Sequence, residues 1–288
     1  MPFANMTLDL RSASYSLSIV ASSRTEQPIE TAPAVRRALE DQVLTLILDR
    51  PQQRNALDGV MREELAAALD HAARSDEIQA VVLTGAGRAF CAGGDLRGLA
   101  DLHDSRLYRH LSHSLTSLLD AVERLEKPVV AALNGAATGA GLTLALCCDW
   151  RVAGPETRLL FGEGRLGLVP THGGVTRLVK LVGLARAKEA LLGGEDLDGD
   201  RALALGLVSE ITQDDVVAEA HARARRMLRR APLSFAATKR LAHLAANADL
   251  YSGILAESLA QTALLGSEDH REGLAAVRER RDPVFTGR

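Results

Sequence analysis

Glu163 carries a carboxylate in the glycine-containing stretch G-E-G-R-L-G-L-V-P-T-H-G-G at 162 to 174. A carboxylate on a loop can transfer protons, or it can sit in an ordinary ion pair, which Arg165 is near enough in sequence to supply. His172 in the same stretch would titrate near neutral pH, although a loop histidine is more often exposed or structural. Thr143 can hydrogen-bond a water but cannot serve as a base near neutrality; alternatively its hydroxyl bonds back to the preceding turn as part of the core. His110 and His113 fall on a predicted helix and read as non-catalytic.

Two segments are rich in small residues, G-A-G-R-A-F-C-A-G-G-D-L at 85 to 96 and N-G-A-A-T-G-A-G at 134 to 141. Taken singly, such glycines make tight turns. Neither completes a dinucleotide fingerprint, which needs a third glycine where Phe90 stands in the first and where Leu144 stands after the second. Arg88 and Arg97 accompany the first segment, and guanidinium forks suit phosphate as readily as they sit solvated on a surface. The three cysteines, Cys91, Cys147 and Cys148, are odd in number with two adjacent, so they draw no disulfide framework and no spaced zinc site.

Positioning these residues requires an alternation of strands and helices. The run V-L-T-L-I-L from Val43 to Leu48 is apolar and stopped by Asp49-Arg50-Pro51, the pattern of a buried strand. Asp58 is placed to cap a helix whose Met61, Leu65, Leu69 and Ala72 recur at helical spacing. A strand from Ala80 to Thr84 leads into the first small-residue segment. A helix of about residues 105 to 125 follows, and then a strand from Pro128 to Leu133 leads into the second segment. The apolar run Leu142 to Cys148 reads as a buried helix with its N-terminus beside the glycines. Beyond Asp214 the segments turn helical and rich in Ala, Leu and Arg, with breaks expected at Pro232 and Gly253. Residues 1 to 40 hold Ser, Thr, Ala and Pro without a sustained period and read as an extension outside the core.

At 288 residues, 47% hydrophobic and 25% charged, the composition is that of a globular protein with one main core. A net charge of -3 argues against a general nucleic-acid surface, so an anionic ligand must meet local arginines. The apolar stretch Leu17 to Ala21 is too short for a membrane span, and together with the cysteines it suggests a cytoplasmic protein.

In this order and spacing, the segments at 48 to 58, 81 to 96, 127 to 141, 162 to 174 and 276 to 288 resemble the enoyl-CoA hydratase/isomerase (crotonase) family. The resemblance covers the chain from about residue 41 to its end. It implies an α/β core of repeated strand-strand-helix units, the ClpP/crotonase spiral, over residues 41 to 213, and a helical region over 214 to 288 that packs on neighbouring subunits of a homotrimer or hexamer. It implies an acyl-CoA substrate and no separate cofactor or metal, because CoA is part of the substrate.

By the family pattern the backbone amides of Gly94 and Ala140 hold the thioester oxyanion, on segments whose small residues permit close approach. The helix beginning at Ala140 would add its positive end. Arg88 and Arg97 stand where basic residues meet the CoA phosphates, and the Ala92 carbonyl where the adenine amino group is received. Glu163 matches the second of the two glutamates of a hydratase, whereas Thr143 occupies the place of the first. Thr171 stands where dehalogenase-like and dienoyl-isomerase-like members have Asp, which disfavours those chemistries. With one carboxylate of the pair, hydration and double-bond isomerisation both remain open, beside a non-catalytic acyl-CoA-binding homologue.

Overall fold

The central strands are apolar on both sides because both of their faces are covered. In the computed structural model, which describes residues 32–95 and 105–288, the described part consists of two sheets and the helices around them. The larger sheet holds β1 (Val35–Glu40), β2 (Val43–Leu48), β3 (Ala80–Gly85), β5 (Val129–Leu133), β7 (Trp150–Ala153) and β10 (Glu210–Ile211), in that spatial order. The β1–β2 pair is antiparallel and the other pairs are parallel. The smaller sheet runs β4 (Ala89–Cys91), β6 (Ala136–Thr138), β8 (Arg158–Leu160) and β9 (Leu197–Asp198).

The repeating unit is plain in this arrangement. Each of β3, β5 and β7 lies in the larger sheet and is followed at once by β4, β6 or β8 in the smaller one. A helix then closes each unit: α2 (Ser105–Arg124), α3 (Ala140–Leu146) and α4 (Gly174–Leu192). The strand-to-strand corners are therefore stacked, and the glycine segments sit at those corners.

The side-chain alternation of the central strands divides two cores. Leu44, Leu46, Leu48, Val81, Leu83, Val129, Ala131 and Leu133 face the main core, with Met61, Leu65 and Leu69 of α1 (Gly59–Arg74). Val43, Ala80, Val82, Val130, Ala132 and Val152 face the other way, against Val216, Ala220 and Ala224 of α6 (Val216–Met227). Double burial explains why these strands read as continuous apolar runs. Asp58 caps α1 as expected, its carboxylate accepting the Met61 N–H at 2.9 Å.

Three expectations need correction. The sheet begins at Val35 within the expected extension, because β1 pairs along its whole length with β2. The region after residue 213 does not stand apart from the core, since α6 covers the second face of the sheet and Pro33–Arg288 form one compact unit. Gly253 breaks nothing: it is buried inside α8 (Leu250–Leu264), whereas Pro232 does open α7 (Pro232–Ala245). A glycine inside a helix costs about 1 kcal/mol relative to alanine, which packing can offset. The remaining helices are α5 (Gly199–Leu205) and α9 (Glu268–Glu279). Among the described residues no helix is long and apolar enough to cross a membrane.

Candidate active site

Two asparagines, the buried Asn55 and the half-buried Asn134, shape the first segment. Asn55 is fully buried in the left-handed region with φ 58, where asparagine is tolerated. Its Oδ1 accepts the Arg50 N–H at 3.0 Å, while its Nδ2 donates to the carbonyls of Ala86 at 3.0 Å and Ala89 at 2.8 Å. Asn134 works from the other side, accepting the Gly85 N–H at 3.1 Å and donating to the Gly87 carbonyl at 3.0 Å. The corner between β3 and β4 is thereby fixed by side-chain amides in place of a ladder.

Past β4 the chain runs against the segment leading into α1, where Leu57 pairs with Gly94 and donates its N–H to the Gly93 carbonyl at 2.7 Å. Gly93 has φ 90, and a Cβ there would lie 2.8 Å from the Thr138 carbonyl oxygen and 3.2 Å from the Ala140 nitrogen. Only glycine allows that approach, and it brings the expected donors of the two segments together. Among the described residues neither the Gly94 nor the Ala140 N–H has a hydrogen-bond acceptor. Since α3 is only seven residues long, these local amides matter more than any helix dipole.

Glu163 opens a 3₁₀ turn over Glu163–Leu166 and lies over Gly139. A Cβ at Gly139, whose φ is 53, would stand 3.3 Å from Glu163 Oε1. Glu163 Oε2 is buried without a hydrogen-bond partner, and burial raises the carboxyl pKa above its ordinary value. The ion pair with Arg165 does not form; Arg165 instead donates to the Gly194 carbonyl at 2.8 Å and lies 3.7 Å from Asp196.

Thr143 is buried, and its hydroxyl donates back to the Gly139 carbonyl at 3.3 Å. The same oxygen would lie 2.9 Å from a Cβ at Gly174, which places the end of the third loop against it. His172 adopts φ 55, with Nδ1 2.7 Å from Thr171 Oγ1 and Nε2 buried without a partner. Burial, and then the charge of Arg62, hold the imidazole pKa below its ordinary value, so the ring is neutral at pH 7. Arg177 of α4 ties this loop to α2, donating to the His172 carbonyl at 2.7 Å and to Glu123 at 2.7 and 3.0 Å.

The expected ligand contacts are less gathered. Arg88 is exposed, and the Ala92 carbonyl accepts the Thr138 hydroxyl at 2.9 Å while keeping a second lone pair. Arg97 and the His110 side chain lie outside the described residues; His113 is exposed. Cys91, Cys147 and Cys148 are buried free thiols; burial pushes Cys91 and Cys148 up to about 12 and raises Cys147 as well, so none is nucleophilic. Among the described residues no group of acidic, histidine or cysteine side chains is placed to hold a metal.

Sequence reading overlooked Asn55, Asn134, Arg177 and Arg62. The two asparagines had a signal in their place at the corners flanking the first segment. Arg62, beside the apolar stripe of α1, had none.

Unengaged backbone donors beside one half-buried carboxylate, on stacked strand-strand-helix corners, define a class of α/β enzyme able to stabilise an oxyanion while moving a proton. The chain belongs to the enoyl-CoA hydratase/isomerase family, whose sequence profile matches residues 38–288. It is 39% identical over 255 residues to a probable enoyl-CoA hydratase of Rhodobacter capsulatus, covering 88% of this chain and 98% of that one. It is 36% identical to 2,3-dehydroadipyl-CoA hydratase of Escherichia coli K12, covering 86% and 97% of the two chains. The crystal structure of an enoyl-CoA hydratase from Bacillus anthracis superposes with a TM-score of 0.84 at 32% identity, covering 88% of this chain and all of that one. The crotonase-like fold and an enzyme of the hydratase/isomerase type, acting on an enoyl-CoA thioester, follow from this membership.

Proposed function

We propose that this enzyme moves the double bond of an enoyl-CoA, with Glu163 as its single acid/base and the Gly94 and Ala140 amides holding the enolate oxygen. The observation that carries the reading is the Glu163 carboxylate over Gly139, with one oxygen unpartnered, next to the unengaged Ala140 N–H. In a 3-enoyl thioester such a base would take a proton from C2, leaving a dienolate whose negative oxygen the two amides stabilise. Return of the proton at C4 would give the 2-enoyl product, so one carboxylate completes the cycle. Thr143, back-bonded to Gly139, would line the acyl pocket without transferring a proton.

Hydration is the second reading, favoured by the names of the Rhodobacter and Escherichia relatives. It would need the one carboxylate, or Thr143 with it, to orient and activate a water. Incubation with a 2-enoyl-CoA and a 3-enoyl-CoA, followed by mass and thioester absorbance, separates the two. Unchanged mass with a shifted double bond supports isomerisation, and a gain of water from the 2-enoyl substrate with no shift would overturn it.

The CoA moiety would be received by Arg88, Arg97 and the Ala92 carbonyl, with no further cofactor. The place of action would be the cytoplasm and the substrate an acyl-CoA of fatty acid metabolism. A homotrimer or hexamer is supported by the outward apolar side chains of α8, including Leu250 at 72% and Tyr251 at 81% exposure.

A further inference from the structure

Three buried side-chain polar atoms of the described residues have no hydrogen-bond partner: Glu163 Oε2, His172 Nε2 and Arg62 Nε. Folded proteins rarely leave such atoms unanswered, and three in one neighbourhood point to a ligand that answers them. Glu163 belongs to the proton-transfer reading given above. His172 and Arg62 are not used by it.

Their placement follows from the chain. Leu57 pairs with Gly94, so α1 starts at the first oxyanion segment and Arg62 stands one turn inside it, its N–H bonded to the Asp58 carbonyl at 3.1 Å. On the opposite side the loop from Glu163 returns through His172 to Gly174, which packs on the Thr143 hydroxyl. His172 is close enough to Arg62 to feel its charge. Arg62 thus follows closely on the residues paired with the first oxyanion segment, and His172 stands two residues before the Gly174 that packs on Thr143.

Among the described residues the Arg62 guanidinium has no ion-pair or hydrogen-bond partner; Asp58 engages Arg50 at 2.8 Å, and Glu63 is exposed. A guanidinium is always charged and forms strong forked bonds to carboxylate. A neutral imidazole beside it can donate one further hydrogen bond without adding charge.

We infer that Arg62 and His172 form the far end of the acyl site and select acyl groups ending in a carboxylate, so that the preferred substrate is a dicarboxylic acyl-CoA. This inference rests on the acyl-CoA reading of the same site but not on which reaction follows. The purely aliphatic alternative would leave both buried nitrogens unanswered in the complex as well.

Binding tests it apart from turnover. Calorimetry on the full chain compares hexanoyl-CoA with adipyl-CoA, the same acyl length with and without a terminal carboxylate. The parent should bind adipyl-CoA tighter by about 10- to 100-fold, the range for one charge-assisted hydrogen-bond pair. Arg62→Met, its fold checked by circular dichroism, should bind the two thioesters alike, and Arg62→Lys should restore part of the preference. Equal affinity of the parent for both thioesters, or an Arg62→Met variant that keeps the preference, overturns the inference. Failure of the acid/base reading would appear elsewhere, as parent protein that binds these thioesters yet turns over neither enoyl-CoA.

Discussion

The segment from Gly85 to Gly94 and the loop from Glu163 to Gly174 border the same site, yet they are built on opposite terms. In the first, Asn55 and Asn134 answer the carbonyls and amides of the corner, and the Gly94 N–H is left open. In the second, Glu163 and His172 each keep a buried polar atom without a partner. A buried group left unsatisfied costs about 1–3 kcal/mol, so the third loop holds its reactive groups at the expense of stability. The contrast separates a mould from a tool: the first segment gives shape, the third gives chemistry.

Substitutions can break that contrast in order of effect. Glu163→Gln should lower turnover by roughly 100- to 10,000-fold with CoA affinity unchanged, measured by steady-state rates on both enoyl-CoA isomers. A variant as fast as the parent would sink the assignment. Gly94→Pro deletes one donor and should cost on the order of 100-fold or more in turnover, with the fold verified by circular dichroism. Normal rates in that variant would place the oxyanion elsewhere.

Asn55→Ala should behave differently from either. It leaves several buried carbonyls without donors and puts alanine at positive φ, so a loss of about 2–4 kcal/mol in chemical denaturation is expected, with turnover falling alongside. If activity dropped with stability intact, the asparagine would belong with the chemistry.

The pH dependence sharpens the comparison at lower magnitude. Because burial raises the Glu163 pKa in the folded state, the folded protein holds that proton more tightly than the unfolded chain. Stability from this group is full below the unfolded carboxyl pKa and is lost as pH rises through the raised folded value. Glu163→Gln should therefore melt at a higher temperature than the parent at neutral pH, with the gap closing in acid. Turnover that needs the carboxylate should rise with pH through an apparent pKa above the ordinary carboxyl range, in a profile of rate against pH. The smallest effect is expected at Arg88, exposed as it is: Arg88→Ala should weaken CoA binding by at most about 1 kcal/mol, less at high salt.

Much of this was legible before folding because some signals are local. Asp58 and the stripe Met61, Leu65, Leu69 and Ala72 marked α1, and the doubly buried strands announced themselves as unbroken apolar runs. β4 and β6 were not legible, since three residues inside glycine-containing segments carry no period. β1 was missed for a different reason: five of its six residues are exposed, so an edge strand looks like the polar chain before it. In the candidate site, Glu163 was found by motif, but the turning of Arg165 to Gly194 and the unanswered state of Glu163 Oε2 depend on contacts distant in sequence. Arg62 shows the limit most clearly, because one charge beside an apolar stripe reads as solvent-facing until the loop carrying His172 is placed against it.

The covering of the second sheet face by α6 has a consequence for how the chain is made. Val82, Val130 and Val152 are complete in the nascent chain well before Val216, Ala220 and Ala224 leave the ribosome to shield them. Synthesis proceeds from the N-terminus, so an apolar wall stands bare during the interval and is open to association with other chains. The buried Lys239 then latches α7 to Asp149 at 2.8 Å, which itself accepts the Val129 N–H at 2.8 Å. The sheet is therefore finished only when α6 has folded onto it, and a fragment ended at residue 213 should aggregate where the whole chain stays dispersed.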